Sequence, residues 1–337
     1  MMQQTFPDTP LIDVKNLHCT FKTNLRDHLF GPRKMVQAVS GVDFDIKPGE
    51  AFGLVGESGC GKSTTAKLIL NMATANEGDV RYRGDTLLGL SNSEWKPLRR
   101  KLQYVFQDPL GALDPRINIL NQVIEPLIIH KISDKEKRHE IAAAMLKTVG
   151  IRSNQYTKFP HELSGGQRQR VVLARALILE PEVLICDEPI SALDVSIQAQ
   201  IINLLQQLRR EMGLTLLFIS HDLSVVRHLC DRVAVMYLGR IVESGTAEEI
   251  FNSPRHPYTQ ALVSAIPKAA HGVSKSRIEL DGEPPSPIDP PDGCRFHPRC
   301  RYATAQCKQQ NPQRREIEKG HSVACFEVSR INADVIK

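Results

Sequence analysis

The stretch that decides the fold is GLVGESGCGKSTTAKLIL, residues 53–70. Within it, Gly56, Gly61, Lys62 and Ser63 match the pattern G-x-x-x-x-G-K-[ST]. An apolar run at residues 51–55 precedes the pattern and is typical of a buried strand, whereas residues 63–70 have the composition of a helix. A strand, a glycine-rich turn and a helix in this order predict an α/β fold with a phosphate-binding loop.

The residue types of this loop suit the binding of a nucleotide's phosphates. Glycines let backbone N–H groups approach the phosphates closely, and the following helix directs its positive end at them. Lys62 supplies a point charge for the β- and γ-phosphates, and the Ser63 hydroxyl is a ligand for Mg²⁺. A glycine-rich turn that matches by chance is the alternative. The predicted cofactor-binding residues of the loop are Gly56, Glu57, Ser58, Gly59, Cys60, Gly61, Lys62, Ser63 and Thr64.

Two acidic residues end a second predicted strand. The run PEVLICDEP has apolar residues at 183–186, followed by Asp187 and Glu188. Parallel sheets present their ligand-binding side chains at the carboxyl ends of the strands. Asp187 suits contact with Mg²⁺, and Glu188 suits the general base for an attacking water. Alone, two acids after a strand are more often a solvated turn, but the phosphate loop favours the functional interpretation.

A second glycine-bearing helix start lies in HELSGGQRQRVVLARALI, residues 161–178. Ser164, Gly165 and Gly166 precede a long amphipathic segment, so a second helix N-terminus is offered to an anion. A single nucleotide cannot easily use both helix starts of one subunit. The sequence therefore indicates a dimer.

The order of the motifs resembles that of the nucleotide-binding subunits of ABC transporters over roughly residues 10–250. The motifs are the phosphate loop, LSGGQ (163–167), LICDEP (184–189), SALD (191–194) and FISHD (218–222). The resemblance implies that ATP and Mg²⁺ bind between two domains packed head to tail, with each ATP between the phosphate loop of one and the LSGGQ segment of the other.

The resemblance also implies roles for particular residues. Glu188 corresponds to the general base, His221 to the switch histidine on the γ-phosphate, and Gln107 to the residue that senses Mg²⁺ and the membrane partner. Mg²⁺ contact is implied for Ser63, Gln107 and Asp187. The other implied nucleotide contacts are Ser164, Gly165, Gly166 and Gln167 of the signature, Asp194 at the dimer seam, and Phe21, which would stack on adenine although it could be plain core.

The same resemblance implies a P-loop NTPase fold with a parallel core sheet, an antiparallel β subdomain and an inserted helical subdomain at about residues 98–178. We expect the nucleotide-binding domain to span residues 1–262 and a small Cys-rich C-terminal extension to span 263–337. Ser133 and Glu136 form a predicted capping box for a helix of the inserted subdomain, which Gly150 would end. A further predicted helix starts at Ser196, carries one apolar face and ends at Gly213.

Composition limits the location and the partners. The chain has 337 residues, of which 41% are hydrophobic and 24% charged, with a net charge of +5. The start lacks the pattern of a signal peptide, and no run approaches the roughly 18 apolar residues of a membrane-spanning helix. The basic residues are scattered in short groups such as 96–101. We therefore expect a soluble protein that is not exported and has no nucleic-acid partner.

Further stretches narrow the resemblance to the ATP-binding subunits of bacterial dipeptide and oligopeptide permeases, especially the second of their two ATPase subunits. These are VQAVSGVDFDI (36–46), QDPLGALDPR (107–116) and HPYTQALVSAIP (256–267). This implies peptide import, a related ATP-binding subunit or a second copy as dimer partner, two transmembrane permease subunits and, indirectly, a solute-binding protein. It also implies a peripheral location at the cytoplasmic face of the bacterial inner membrane.

Two alternatives stay open for the function. Nickel and glutathione importers belong to the same group, so the cargo could differ. A soluble ABC ATPase outside transport would carry the same motifs, but it would also show a second nucleotide-binding half or a long coiled-coil insertion. This sequence shows neither.

The C-terminal extension contains a cysteine cluster behind a proline-rich linker, DGEPPSPIDPPDG (281–293), which is stiff and unlike a helix. Disulfides fit poorly because nothing directs the chain to an oxidising compartment, and zinc prefers shorter spacings than C-x5-C-x6-C-x17-C. Four thiolates at wide spacing are compatible with a [4Fe–4S] cluster. The peptide-permease resemblance points to that cluster, with zinc as the alternative. The predicted ligands are Cys294, Cys300, Cys307 and Cys325.

Overall fold

The computed structural model describes residues 9–26, 33–191, 193–267 and 277–335. The strands are β1 (Ile12–Arg26), β2 (Arg33–Ile46), β3 (Ala51–Val55), β4 (Glu77–Tyr82), β5 (Asp85–Thr86), β6 (Leu102–Val105), β7 (Val183–Asp187), β8 (Thr215–Ser220), β9 (Arg232–Tyr237), β10 (Arg240–Thr246), β11 (Arg315–Glu318) and β12 (His321–Val323). The helices are α1 (Lys62–Ile69), α2 (Asn92–Lys101), α3 (Ile119–Ile129), α4 (Lys135–Thr148), α5 (Gly165–Leu177), α6 (Val195–Met212), α7 (Leu223–Leu229), α8 (Ala247–Asn252), α9 (Pro257–Ser264), α10 (Ala305–Gln309) and α11 (Val328–Val335).

The described chain divides into two compact units. The first takes residues from 47–51 and 89–219, and the second takes residues from 8–46, 52–88 and 220–337. The predicted boundary at residues 262 and 263 stays a prediction. The described part of the C-terminal extension belongs to the same unit as the phosphate loop.

The first unit is built on three parallel strands and the helices around them. β7 pairs with β6 on one side and with β8 on the other, both in parallel register. All residues of β7 and β8 are buried, which is typical of parallel strands covered on both faces. Helix α6 connects β7 to β8, as the sequence predicted, and its last turn leads into Gly213 at φ +64°.

Two helices of the first unit show how precise the predictions were. Helix α6 buries Ile201, Leu204 and Leu208, the apolar face that its spacing predicts. Helix α4 differs at its start, because its N-cap is Asp134, whose side chain accepts from the Lys137 N–H at 2.9 Å. The predicted capping box at Ser133 was wrong: Ser133 has φ +58° and lies in the turn before the helix.

The second unit contains two arrangements of strands. An antiparallel sheet has the strand order β2-β1-β4-β5, as expected for the antiparallel subdomain. β3, which leads into the phosphate loop, pairs in parallel with β9. β9 then pairs with β10, β10 with β12 and β12 with β11, all in antiparallel register. Strands of the C-terminal extension therefore extend the sheet that carries the phosphate loop.

A buried carboxylate fastens the extension to this sheet. Glu243 on β10 is fully buried and accepts hydrogen bonds from the backbone N–H groups of Arg255 (2.7 Å) and His256 (2.8 Å). The Nε2 atom of His321 on β12 lies 2.8 Å from the same carboxylate. A buried carboxylate with this many partners stabilises the fold only while they all stay in place.

Candidate functional site

The phosphate loop, residues 56–61, lies between a buried strand and a helix. All five residues of β3 are buried, and helix α1 begins at Lys62, directly after Gly61. Gly61 has φ +108°, and a Cβ atom built there would lie 2.1 Å from the carbonyl oxygen of Ala38. Only glycine fits at this position, because the backbone conformation and the neighbouring strand both exclude a side chain.

We expect Gly61→Ala to lower the free energy of unfolding by roughly 2 kcal/mol or more, because the new methyl group must displace backbone. The matched control is Gly59→Ala, where φ is also positive (+78°) but no atom lies within 4 Å of the added Cβ. That control should cost about 1 kcal/mol from conformation alone. Urea denaturation measures both values, and equal losses would contradict the steric explanation.

Lys62 is buried within the loop. Its Nζ atom donates to the carbonyl oxygens of Gly56 at 2.8 Å and Glu57 at 3.0 Å. The side chain of Lys62 is thereby held inside the curve of backbone that the sequence assigns to phosphates. Ser63 and Thr64 follow on α1 and are half-buried, and Ser58 and Gly59 lie exposed at the tip of the loop.

The first unit brings together the predicted acid, base and glutamine. Asp187, at the end of β7, is 4% exposed and accepts from the Tyr104 hydroxyl at 2.6 Å. The Gln107 side-chain amide donates to Glu188 Oε2 at 3.2 Å. Glu188 has φ +46°, a conformation that is costly for this residue type and recurs at functional sites. Both carboxylates are thus oriented by side chains from β6 and the segment after it.

The sequence interpretation missed Tyr104. Burial and the hydrogen bond to Asp187 raise the pKa of Tyr104 above its usual value, so its hydroxyl remains a donor. The signal that could have found it is the parallel pairing of β6 with β7, in which Tyr104 lies opposite Ile185, two residues before Asp187.

The signature segment forms the N-terminus of α5. Ser164 is the N-cap: its hydroxyl accepts from the Gln167 N–H at 3.3 Å, and the Gln167 side-chain oxygen accepts from the Ser164 N–H at 3.0 Å. These two hydrogen bonds form a capping box. S-x-x-Q is a known pattern for such a box, but the sequence interpretation considered it only as part of the signature. A Cβ on Gly166 would lie 2.4 Å from Ile197, so this glycine permits close packing of α5 against α6.

Three further predicted residues lie at exposed positions. Asp194 is the N-cap residue of α6, and its side chain makes no capping hydrogen bond. His221 directly follows the buried strand β8 and is exposed. Phe21 on β1 is 42% exposed, so it is not the plain core residue of the alternative interpretation. The proposed contacts of these residues with nucleotide stay predictions.

The four cysteines of the extension line one cavity in the second unit, together with Phe296, His297 and Tyr302. Backbone hydrogen bonds shape the turns around them: the Cys294 N–H donates to the Cys307 carbonyl at 2.8 Å, and the Cys300 N–H to the His297 carbonyl at 3.3 Å. Burial raises the pKa of Cys300 to about 11 and of Cys325 to about 12. The remaining four cysteines are buried: Cys19, Cys60, Cys186 and Cys230.

Comparisons with known proteins agree with these motifs. The family model described as ABC transporter matches residues 39–191, and the one described as oligopeptide/dipeptide transporter, C-terminal region, matches residues 242–307. The dipeptide transport ATP-binding protein DppF of Escherichia coli K12 is 48% identical over 302 residues, 90% of this chain and 90% of that protein. The oligopeptide transport ATP-binding protein OppF of the same strain is 49% identical over 323 residues, 94% of this chain and 96% of that protein.

A solved structure shows the same fold. The ATP-binding cassette MJ0796, in a dimeric post-hydrolysis state bound to ADP and Pi, matches with a TM-score of 0.63 at 30% identity, over 70% of this chain and 98% of that one. Fold and motifs together define an ABC transporter ATPase, an enzyme that binds and hydrolyses ATP with Mg²⁺ to drive transport. Within that class, the chain belongs to the family of dipeptide and oligopeptide transport ATP-binding proteins. Among the residues described, no helix combines the length and the apolar character that crossing a membrane requires.

Proposed function

We propose that this chain powers the import of dipeptides or oligopeptides through a membrane permease. The observation that carries the proposal is the similarity to DppF and OppF, which covers at least 90% of the chain. It extends through the C-terminal region, where the family model reaches residue 307 and so includes three of the four clustered cysteines. General ABC motifs alone would give no reason to prefer peptides as cargo.

The described contacts support a mechanism for hydrolysis. Lys62 binds the β- and γ-phosphates, and Glu188 accepts the proton of the attacking water while Gln107 orients its carboxylate. His221 contacts the γ-phosphate. Mg²⁺, when bound, supplies neutralising charge to the phosphates, with Ser63, Gln107 and Asp187 as its proposed ligands. Phe21 stacks on adenine, and the signature of a partner domain, Ser164–Gln167 with Asp194 beside it, closes over the ATP.

The partners we propose are a related ATP-binding subunit, two transmembrane permease subunits and, through them, a solute-binding protein. The chain would then lie peripherally at the cytoplasmic face of the bacterial inner membrane. The test is to purify the intact complex through a tag on this chain, identify the co-purified subunits and reconstitute them in vesicles. Uptake of a labelled dipeptide or tripeptide that depends on ATP supports the proposal. A complex that takes up nickel or glutathione but no peptide would overturn it.

We further propose that the four-cysteine cavity holds a [4Fe–4S] cluster. A single metal ion needs its ligand atoms close together, yet within the described ranges no three of these cysteines bring their sulfur atoms within 4.8 Å of one another. This spacing favours a cluster, whose thiolates bind separate irons, over a single zinc ion. A cluster here would act as a structural staple for a segment too small to bury its own core.

Protein purified without oxygen is expected to contain iron and acid-labile sulfide in equal amounts, because a [4Fe–4S] cluster holds as many inorganic sulfides as irons. The variant Cys300→Ser should lose most of both. The matched control is Cys19→Ser, since Cys19 is buried in β1 and its sulfur contacts the Thr74 carbonyl at 3.6 Å, a bond that serine can keep. Stoichiometric zinc without iron in the wild type would contradict the cluster.

A further inference from the structure

The C-terminal extension contacts the phosphate loop directly. Arg299, one residue before Cys300, donates from Nη1 and Nη2 to the two carboxylate oxygens of Glu57 at 2.8 and 3.2 Å. The Arg299 side chain is 7% exposed and that of Glu57 28%. The backbone N–H of Glu57 also donates to the Tyr258 hydroxyl on α9 at 2.8 Å. The second residue of the loop is therefore held at its side chain by the extension and at its backbone by α9.

Arg299 is itself held on a rigid aromatic platform. Phe296 from the extension packs against Tyr237 on β9 and Tyr258 on α9, with ring centroids 5.2 and 5.5 Å away. The Arg299 guanidinium lies 6.0 Å from the centre of the Tyr237 ring, in cation–π range. Because Phe296 and Tyr258 are 1% and 0% exposed, this platform leaves little freedom for the arginine.

The charge of Glu57 gives this contact its importance. A carboxylate one residue after the first glycine of a phosphate loop repels the phosphates of a nucleotide, unless a cation neutralises it. The planar fork of an arginine matches both carboxylate oxygens and fixes their direction, which a lysine cannot do. Two nitrogens of the Arg299 guanidinium lie within hydrogen-bond distance of the Glu57 carboxylate, so Arg299 is the cation placed to neutralise it.

We propose that Arg299 is a positioning residue for ATP binding, which acts by neutralising Glu57 and fixing its carboxylate outside the phosphate site. The C-terminal extension thereby sets the affinity of the phosphate loop for polyphosphates. The proposal rests on ATP binding by this loop. It assigns a nucleotide-binding role to a part of the chain that lies more than 200 residues away in sequence.

The test measures binding of ATP, ADP and AMP by calorimetry, without Mg²⁺ so that no hydrolysis occurs. We expect Arg299→Gln to weaken ATP binding about tenfold, ADP binding less and AMP binding least, because the repulsion grows with phosphate charge. Arg299→Lys keeps the positive charge, so its affinity for ATP should fall about threefold at most. The matched control is Arg301→Gln, whose guanidinium lies 4.9 Å from the centre of the Tyr302 ring and forms no part of the loop contact.

Variants of Glu57 separate charge from folding. Glu57→Gln alone should bind ATP about twofold or more tightly than the wild type, since the repelling charge is gone and Arg299 remains. The double variant Arg299→Gln with Glu57→Gln should recover most of the tenfold loss. Three results would each overturn the proposal. The double variant could bind ATP as weakly as Arg299→Gln, Arg299→Gln could lose as much affinity for AMP as for ATP, or Glu57→Gln could bind ATP more weakly than the wild type. A wild type that binds no ATP would overturn the nucleotide site itself.

Discussion

Replacing Glu188 by glutamine is expected to leave ATP binding intact and to reduce ATP hydrolysis about 100-fold or more. Glutamine keeps the size and hydrogen-bonding capacity of the side chain, so the contact with the Gln107 amide can persist. It cannot accept the proton of the attacking water. In the proposed mechanism, ATP binding closes a dimer of nucleotide-binding domains and hydrolysis reopens it, so the variant should accumulate as a closed dimer with ATP.

Phosphate release and size-exclusion chromatography with ATP measure the two effects of the Glu188 variant. The matched control is Glu182→Gln, just before the same strand β7, where the carboxylate forms a partly exposed ion pair with Lys101 at 3.2 Å. That control should hydrolyse ATP at the wild-type rate, since exposed pairs contribute little. Wild-type turnover by Glu188→Gln would show that another group is the base.

Replacing Lys62 by alanine is expected to weaken ATP binding about 100-fold, the upper range for loss of charged hydrogen bonds. The ammonium is buried in the loop beside the carbonyls of Gly56 and Glu57, where a bound phosphate would face it. The alanine leaves those carbonyls without their donor. At low ATP concentration, the rate of hydrolysis should fall in proportion to the loss of ATP affinity.

Calorimetry with ATP measures the affinity, and Lys67→Ala provides the matched control. Lys67 lies on the same helix, α1, but its side chain is exposed in the last turn. Its loss should cost only about 0.5 kcal/mol of helix stability and leave ATP affinity unchanged. An affinity of Lys62→Ala within twofold of the wild type would refute the role assigned to this lysine.

The sequence was most informative where spacing within a short segment determines the structure. Gly61 and Ser63 could be placed on a turn and a helix because the phosphate-loop pattern is local. Helix α6 could be placed with its buried face because its apolar residues recur at helical spacing. The start of α4 was predicted wrongly at Ser133, since Asp134 is an equally good N-cap by residue type and only the chain path shows which one faces the first turn.

Local sequence patterns could not predict contacts between segments that are far apart in the chain. Tyr104 meets Asp187 across two paired strands, 83 residues apart, and Arg299 meets Glu57 at a separation of 242 residues. Neither residue type is unusual where it stands in the sequence. The cysteine cluster was found because its members lie near one another along the chain, but its attachment to the sheet through β12 was not.

The pairing of β12 with β10 has a consequence for synthesis on the ribosome. Proteins emerge from their N-terminus, so β10 is made about 80 residues before its partner, judging from the pairing of Glu243 with Val323. Until that partner appears, the edge of β10 presents unpaired backbone groups, which are a template for pairing with other chains. A nascent chain that stalls within the proline-rich segment would therefore display the phosphate loop on a sheet with an open edge, before Arg299 is available to contact Glu57.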